Sequence, residues 1–278
     1  MRTLVLSCLV LVAGTLLIVF ADVPSGTQPP AYQITPALSP TVSARAWGVY
    51  DTETGERLLA HESGAALPIA SLTKLMTAAV AYERVPAATT TLSWRAVATE
   101  GRAGRLEVGE TLSVYELLFP LLIESSNDAA EALAEQAGRD SFIGGMNLAA
   151  ARLGMLDTVY ADPSGLSPEN ISTVDDLARL VGHLAAREPH LLDITRLSQY
   201  VGVAHTWVNV NPVAGVDTFR GGKHGYTEEA DRTFVGLFEH EFPGGERRTL
   251  TIVLLGSENL VADVAALRSV VDLSVRYE

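Results

Sequence analysis

The sequence places a serine and a lysine three residues apart at the start of a predicted helix. In the segment 68–80, PIASLTKLMTAAV, these are Ser71 and Lys74, and side chains at positions i and i+3 of a helix share one face. A serine hydroxyl is a weak nucleophile until a neighbouring base takes its proton. Lysine can be that base because burial lowers the pKa of an amine, whereas arginine never gives up its proton. The pair therefore predicts a nucleophilic serine with a lysine base.

A second lysine lies in a glycine-rich segment later in the chain. Only two lysines occur among the 20 basic residues, and the second, Lys223, stands in the segment FRGGKHGYT. This segment reads as a strand, where Gly225 would allow another backbone to approach closely. Lys223 would supply fixed positive charge beside it. Both lysines therefore fall where a serine–lysine site needs an amine.

A serine and an asparagine precede another predicted helix. Ser125 and Asn127 stand in the segment LLIESSNDAAEALAE. A hydroxyl and an amide at this point could relay a proton to a leaving group and hold a substrate carbonyl. The same residues are also typical of a helix N-cap, so the segment gains weight only together with the two lysines.

The elements that must position these residues follow from periodicity and turn signals. ARAWGVYDTETGERLLAHES predicts a hairpin, a helix follows over about 71–83, and the middle of the chain, 113–196, is mostly helical. Strands are predicted at 198–204, 206–211, 216–225, 232–241 and 248–256, and a last helix at 260–275. We therefore expect an α/β (α+β) fold, with a mainly antiparallel five-stranded sheet, flanking N- and C-terminal helices, and a helical subdomain.

Composition limits the location and the partners. The chain has 278 residues and a formal net charge of −13, which argues against nucleic acid or anionic lipid as the main partner. Residues 1–21 form an uncharged apolar run after one arginine, typical of a signal peptide or an N-terminal membrane anchor. Residues 22–42 are rich in Pro, Ser and Thr, which predicts a linker. The catalytic domain is expected to span residues 43–278. Any membrane attachment is expected through the N-terminus only.

The order of the three motifs resembles that of a known enzyme family. Ser71-x-x-Lys74, Ser125-x-Asn127 and Lys223-x-Gly225 match the S-x-x-K, S-x-N and K-x-G pattern of the penicillin-recognising serine acyltransferases. Within these, residues 43–278 are similar to the serine-type D-Ala-D-Ala carboxypeptidases, the low-molecular-mass penicillin-binding proteins. The resemblance extends to the segments PIASLTKLMTA, LEVGETLSVYELLFPLLIESSNDAAEALA, MNLAAARLGMLDTVYADPSGLS and GGKHGYTEEA. It implies a β-lactamase/transpeptidase-like fold.

The resemblance also implies roles for single residues. Ser71 would be the acylated nucleophile and Lys74 its base, while Ser125 and Asn127 would assist proton transfer and substrate placement. Lys223 would support the electrostatics. The backbone N–H groups of Ser71 and Tyr226 would form the oxyanion hole. The implied substrate-binding residues lie on the strand that carries this lysine: Lys223, His224, Gly225, Tyr226 and Thr227.

The implied substrate is a peptidoglycan stem peptide, with β-lactams as inhibitors and neither a metal nor another cofactor. The implied location is the cell envelope after export, in the periplasm or at the outer face of the cytoplasmic membrane. Three functions other than that of a carboxypeptidase are also compatible with the sequence. A D,D-endopeptidase would cut peptidoglycan cross-links with the same residues. A β-lactamase would share the motifs, but this chain has no convincing acidic residue in a Glu-x-x-Leu-Asn setting to serve its deacylation. A catalytically weak peptidoglycan- or penicillin-binding protein is the third.

The chain departs from the family pattern at two positions. His224 stands where threonine is usual, so its imidazole N–H would bind the substrate carboxylate, or its larger ring would narrow the site. Ser257 falls in the place of a basic residue that often helps to hold the carboxylate. Arg232 is the candidate to compensate for it.

Overall fold

The computed structural model describes residues 32–35, 40–84, 89–101 and 104–277. The predicted signal peptide or anchor, 1–21, lies outside these residues. None of the helices found in the described part of the chain has both the length and the apolar character needed to cross a bilayer.

The strands of the described residues are β1 (Tyr32–Ile34), β2 (Ala46–Asp51), β3 (Arg57–His61), β4 (Leu67–Pro68), β5 (Thr89–Thr91), β6 (Thr111–Ser113), β7 (Ile171–Ser172), β8 (Gln199–Val201), β9 (Thr206–Val208), β10 (Phe219–Thr227), β11 (Asp231–Glu241), β12 (Arg247–Ser257) and β13 (Val275–Tyr277). Five of them form one antiparallel sheet in the order β10–β11–β12–β2–β3. The predicted five-stranded antiparallel sheet is confirmed, and β10, which carries Lys223, lies at its edge.

The helices of the same residues are α1 (Thr73–Arg84), α2 (Trp94–Val97), α3 (Val114–Phe119), α4 (Asn127–Gln136), α5 (Arg139–Arg152), α6 (Val174–Arg187), α7 (Pro189–Arg196) and α8 (Leu260–Ser274). The predicted helical middle of the chain is therefore found as α3 to α7. The first helix starts later than predicted, because residues Ala70–Leu72 form a 3₁₀ turn that leads into α1.

The two faces of the sheet pack on different helices. One face buries its side chains against α8, in a cluster that includes Leu267 and the β11 residues Phe234 and Phe238. The other face packs against α6 and the rest of the helical subdomain. Thr173 caps α6 by accepting a hydrogen bond from the N–H of Asp176. The C-terminal flanking helix is as predicted, whereas the helix on the second face comes from the helical part of the chain.

Two predicted segments differ in detail. Within the predicted linker 22–42, residues Tyr32–Ile34 form β1, which pairs with β13; the partner strand is remote in sequence, so the polar, proline-rich composition concealed it. The strands predicted at 198–204 and 206–211 are present as β8 and β9, but they are three residues long and pair only with each other. The five-stranded sheet therefore excludes them.

Candidate active site

The start of α1 brings the predicted nucleophile and base into contact. Ser71 lies in the 3₁₀ turn and Lys74 in the first turn of α1. The Nζ of Lys74 lies 3.0 Å from the Oγ of Ser71, and the lysine side chain is fully buried. The structure therefore places the two groups at hydrogen-bonding distance, as the i, i+3 spacing predicts.

Two further oxygen atoms accept hydrogen bonds from the Lys74 amine. Nζ donates to Oδ1 of Asn127 over 2.7 Å and to the backbone carbonyl of Ser164. The orientation of the Asn127 amide is set from its other end, because Nδ2 donates to the carbonyl of Glu100 over 2.8 Å. Its oxygen must then face the amine. Lys74 is thus held between Ser71 and two groups that can only accept.

Ser125 and Lys223 form a second contact. Helix α3 continues into a wider π turn, Pro120–Glu124, which ends at Ser125 with a left-handed backbone, φ 64°. Ser126, and not Ser125, is the N-cap of α4, since its hydroxyl accepts from the N–H of Ala129. The hydroxyl of Ser125 is therefore available to the buried Lys223, whose Nζ donates to it over 2.8 Å.

Strand β10 lies directly against Ser71, the predicted nucleophile. A side-chain carbon built on Gly225 would come within 2.7 Å of the backbone nitrogen of Ser71, and within 2.8 Å of the Thr233 hydroxyl. That hydroxyl donates to the carbonyl of Ile69 over 3.0 Å and so ties β11 to the same turn. Only glycine at position 225 allows the edge strand this close to Ser71.

The remaining predicted substrate-binding residues follow on β10. Side chains alternate along a strand, so His224 and Tyr226 leave β10 on the face opposite to Lys223. The cross-strand partner of His224 is the buried Phe234. Thr227 ends the strand, where its hydroxyl accepts from the N–H of Ala230 over 3.2 Å. Thr227 therefore holds the turn that leads to β11.

Arg232 lies on β11 between Tyr226 of β10 and Ser257 of β12. It is the cross-strand partner of Tyr226 on one side and of Ser257 on the other. Its guanidinium lies 5.6 Å from the centre of the Tyr226 ring, and Nη1 donates to the carbonyl of Glu258 over 3.1 Å. Arg232 thus places a positive charge beside the position that Ser257 leaves uncharged.

Two groups that contact the site residues were not predicted from the sequence. Both are backbone carbonyls, those of Ser164 and Glu100, and a backbone carbonyl leaves no mark in the residue types of a motif. Ser164 belongs to the segment DPSGL, Asp162–Leu166, whose Pro, Ser and Gly predict a turn. That turn signal indicated a loop but not its contact with Lys74.

This arrangement agrees with the comparisons to known proteins. Residues 33–256 match the model of the D-alanyl-D-alanine carboxypeptidase family. The chain therefore belongs to this family, and the sequence-based assignment to the serine-type carboxypeptidases is confirmed at the level of the family.

The relatives include proteins named as carboxypeptidases and proteins named as endopeptidases, two of the functions that the sequence left open. The chain is 38% identical over 153 residues to a D-alanyl-D-alanine endopeptidase of Pseudomonas aeruginosa, covering 52% of this chain and 47% of that protein. It is 30% identical over 224 residues to a D-alanyl-D-alanine carboxypeptidase of Mycobacterium tuberculosis, covering 77% of this chain and 76% of the other. The chain thus spans about half the length of the first relative and three quarters of the second.

A solved structure shows the same fold with a ligand. Penicillin-binding protein D2 of Listeria monocytogenes in its cefotaxime-bound form superposes with a TM-score of 0.74 at 28% identity, over 86% of this chain and 98% of the other. The expected penicillin-binding, transpeptidase-like fold is therefore confirmed.

Proposed function

We propose that this protein is an exported serine D-Ala-D-Ala carboxypeptidase, which removes the terminal D-Ala from peptidoglycan stem peptides through an acyl-serine intermediate. The observation that carries the proposal is the environment of Lys74 Nζ, with Ser71 Oγ at 3.0 Å and Asn127 Oδ1 at 2.7 Å. Membership of the carboxypeptidase family supports the same activity.

The geometry of the amine supports its role as a base. A neutral amine has two N–H donors and one lone pair, whereas an ammonium group has three donors. Asn127 Oδ1 and the Ser164 carbonyl can only accept, so in the neutral amine they would take the two N–H groups. In that state the lone pair would face the hydroxyl proton of Ser71, whose Oγ lies 3.0 Å from Nζ.

The acylation step follows from this arrangement. Ser71 Oγ attacks the carbonyl carbon of the penultimate D-Ala as its proton passes to Lys74 Nζ. The negative charge that develops on the carbonyl oxygen is stabilised by the backbone N–H groups of Ser71 and Tyr226. The C–N bond then breaks, the leaving D-Ala amine takes up a proton, and water later hydrolyses the ester.

Ser125 and Lys223 are suited to the leaving-group side of this reaction. The Lys223 amine donates to the Ser125 hydroxyl, so that hydroxyl can pass its own proton to the departing nitrogen. The buried charge of Lys223 also favours a substrate that ends in a carboxylate. We assign the binding of that carboxylate to His224 and Arg232, which leave neighbouring strands at the same end of the sheet.

The location and the bond cleaved are part of the same proposal. Export is supported by the apolar segment 1–21, and β-lactam binding by the cefotaxime-bound Listeria relative. D,D-endopeptidase activity is the second candidate, because the relative from Pseudomonas aeruginosa bears that name.

Release of D-alanine from a pentapeptide ending in D-Ala-D-Ala tests the proposal. We expect release by the unchanged chain and a loss of about 10³-fold or more in Ser71→Ala. Ser198→Ala is the control, because Ser198 is an exposed serine before β8 and should leave the rate unchanged.

Three other results would contradict the proposal. Cleavage of cross-linked dimers without release from the pentapeptide would identify an endopeptidase. Tight binding of the pentapeptide without cleavage would identify a binding protein. Rapid hydrolysis of labelled penicillin, in place of a long-lived adduct, would identify a β-lactamase.

A further inference from the structure

A buried carboxylate organises the loop that contacts Lys74. Oδ1 of Asp162 accepts hydrogen bonds from the Ser164 N–H at 2.6 Å, the Ser164 hydroxyl at 2.8 Å and the Gly165 N–H at 2.7 Å. Oδ2 accepts from the N–H of Ser167 at 2.6 Å and from Nδ2 of Asn170 at 2.8 Å. The backbone of the loop is thus wrapped around one side chain.

The carboxylate is held in its ionised form. Burial alone would raise the pKa of Asp162, but the hydrogen bonds from Ser167, Ser164 and Gly165 outweigh it and hold the pKa below its ordinary value. An ionised carboxylate accepts at both oxygens, and charge-assisted bonds of this kind are the stronger ones. The loop conformation is therefore specified by a charge that five donors share.

Asn170 extends this framework on the other side of the loop. Its Oδ1 accepts from the N–H of Ala161 at 2.7 Å and from the N–H of Asp162 at 3.2 Å. Its Nδ2 is the donor to Asp162 Oδ2. The amide of Asn170 thus links the beginning of the loop to the carboxylate.

The outer side of the same loop contacts the start of α1. The carbonyl of Pro163 accepts from the Thr77 hydroxyl over 2.6 Å, and the carbonyl of Ser164 accepts from Lys74 Nζ. Gly165, with φ +85°, lies against the Ala70–Ser71 peptide, where an added side-chain carbon would be 2.0 Å from the Ala70 oxygen. Three consecutive residues therefore contact the segment that carries nucleophile and base.

We propose that Asp162 is a positioning residue for acylation, which holds the Ser164 carbonyl where it accepts from Lys74 and so directs the amine lone pair at Ser71. This inference rests on the proposed function. Asp162 acts through the loop backbone and not by contact with the substrate. A turn that merely connected two elements would not need its backbone carbonyls directed at two successive turns of α1.

Asp162→Asn replaces the carboxylate by an amide of nearly the same size and shape, so any change in rate comes from the lost charge and the lost acceptor. In Asp162→Asn the amide has one oxygen, so its NH₂ group must face the donors of either Ser164 and Gly165 or Ser167 and Asn170. Donor would then face donor, and the loop would have to shift. A displacement of about 1 Å in a positioning group costs on the order of 10²-fold in rate.

Asp51→Asn is the matched control. Asp51 is buried as well and accepts from two turn N–H groups, those of Glu53 at 2.9 Å and Thr54 at 2.8 Å. It lies at the end of β2, three strands away from β10 in the sheet. Its substitution should lower stability without changing the geometry around Lys74.

The test measures acylation of the full chain by a labelled penicillin, separating the dissociation constant of the initial complex from the acylation rate constant. We expect Asp162→Asn to lower the rate constant by about 10²-fold and to change the dissociation constant by no more than about twofold. Asp51→Asn should retain the rate constant while its Tm falls. An unchanged rate constant in folded Asp162→Asn, or an equal fall in both variants, would overturn the inference.

Two further variants keep the test decisive. The exchange Asp162→Asn with Asn170→Asp restores a donor–acceptor pair between the two positions and should recover part of the rate. If Asp162→Asn does not fold, Asn170→Ala takes its place. Because Asn170→Ala removes one of the five donors to the carboxylate, it should slow acylation several-fold, and a normal rate would overturn the inference.

Failure of the inference and failure of the proposed function give different results. A wild-type chain that penicillin does not acylate would refute the proposed function, and the inference with it. A wild-type chain that is acylated normally, beside an equally reactive Asp162→Asn, would refute only the positioning role.

Discussion

At the scale of single residues, the two lysines have different surroundings. Lys74 contacts the hydroxyl of Ser71, the proposed nucleophile, and two further acceptor oxygens, so the proposed function makes it the group that takes up the serine proton. Lys223 donates to the Ser125 hydroxyl and to the carbonyl of His224, both over 2.8 Å. These surroundings suit a fixed charge. The lysine at position 223 should therefore tolerate replacement by another cation better than the lysine at position 74.

Arginine substitutions at the two positions test this difference. Because arginine keeps its proton, Lys74→Arg should lower the acylation rate by about 10²- to 10⁴-fold, the usual contribution of a general base. Lys223→Arg keeps the charge and the donors, so its rate should stay within about tenfold of wild type. Stopped-flow acylation with labelled penicillin gives both rates, and the Tm of each variant confirms folding. A loss in Lys74→Arg as small as that in Lys223→Arg would show that Lys74 also acts only through its charge.

The residue types made this part of the site predictable. Ser71, Lys74, Ser125, Asn127 and Lys223 were each chosen from the chemistry of their side chains, and the structure brings them into two hydrogen-bonded groups. The carbonyls that complete the surroundings of Lys74 were not predictable. Every residue has a carbonyl, and only the path of the backbone decides where each one points.

At the scale of elements, three segments meet at Ser71 without room for side chains between them. The edge strand β10 approaches through Gly225, and the loop that follows α5 approaches through Gly165. The turn between them, Ala70–Leu72, has a left-handed residue of its own at Ala70, with φ 47°. The backbone nitrogen of Ser71, the proposed oxyanion-hole donor, is therefore positioned by packing from both sides. The glycine in β10 was predicted to allow close approach, whereas the residue types around Gly165 did not indicate its contact with Ser71.

Gly165→Ala should disrupt the site more than it destabilises the fold. The added carbon would meet backbone atoms of Ala70 and Ser71, which cannot rotate away, and the left-handed φ adds strain. We expect the acylation rate to fall by about 10²-fold or more.

Gly154→Ala is the control for backbone strain alone. Gly154 also has a positive φ, +73°, but no heavy atom beyond its chain neighbours lies within 4 Å of the added carbon. It should cost about 1 kcal/mol of stability and leave acylation unchanged. If Gly165→Ala were acylated as fast as Gly154→Ala, the tight contact between loop and nucleophile would have no catalytic consequence.

At the scale of the whole molecule, the two ends of the described chain stabilise each other. Strand β1 pairs with β13, and Tyr32 packs its ring against Phe242 and Tyr277. The Tyr32 hydroxyl donates to the buried carboxylate of Asp51, which also accepts from Nε of Arg248 over 2.9 Å. This cluster lies at the end of β2 remote from Ser71, so it stabilises the sheet without contacting the site. The composition of residues 22–42 gave no sign of it, because pairing depends on the other end of the chain.

A chain that begins at Ser43 should therefore be less stable than one that begins at Tyr32, yet equally reactive. Loss of the Tyr32 hydroxyl leaves Asp51 short of a donor, which costs about 1–3 kcal/mol, and loss of the ring packing adds to this. For a domain of this size we expect a fall in Tm of roughly 5 °C or more. In the chain that begins at Tyr32, Tyr32→Phe removes the hydroxyl alone and should show a smaller part of the fall. Thermal unfolding followed by circular dichroism, with penicillin acylation at 25 °C, checks both properties. A Tm that does not change would show that β1 contributes nothing to the fold, whereas slower acylation would show that this end of the sheet does influence Ser71.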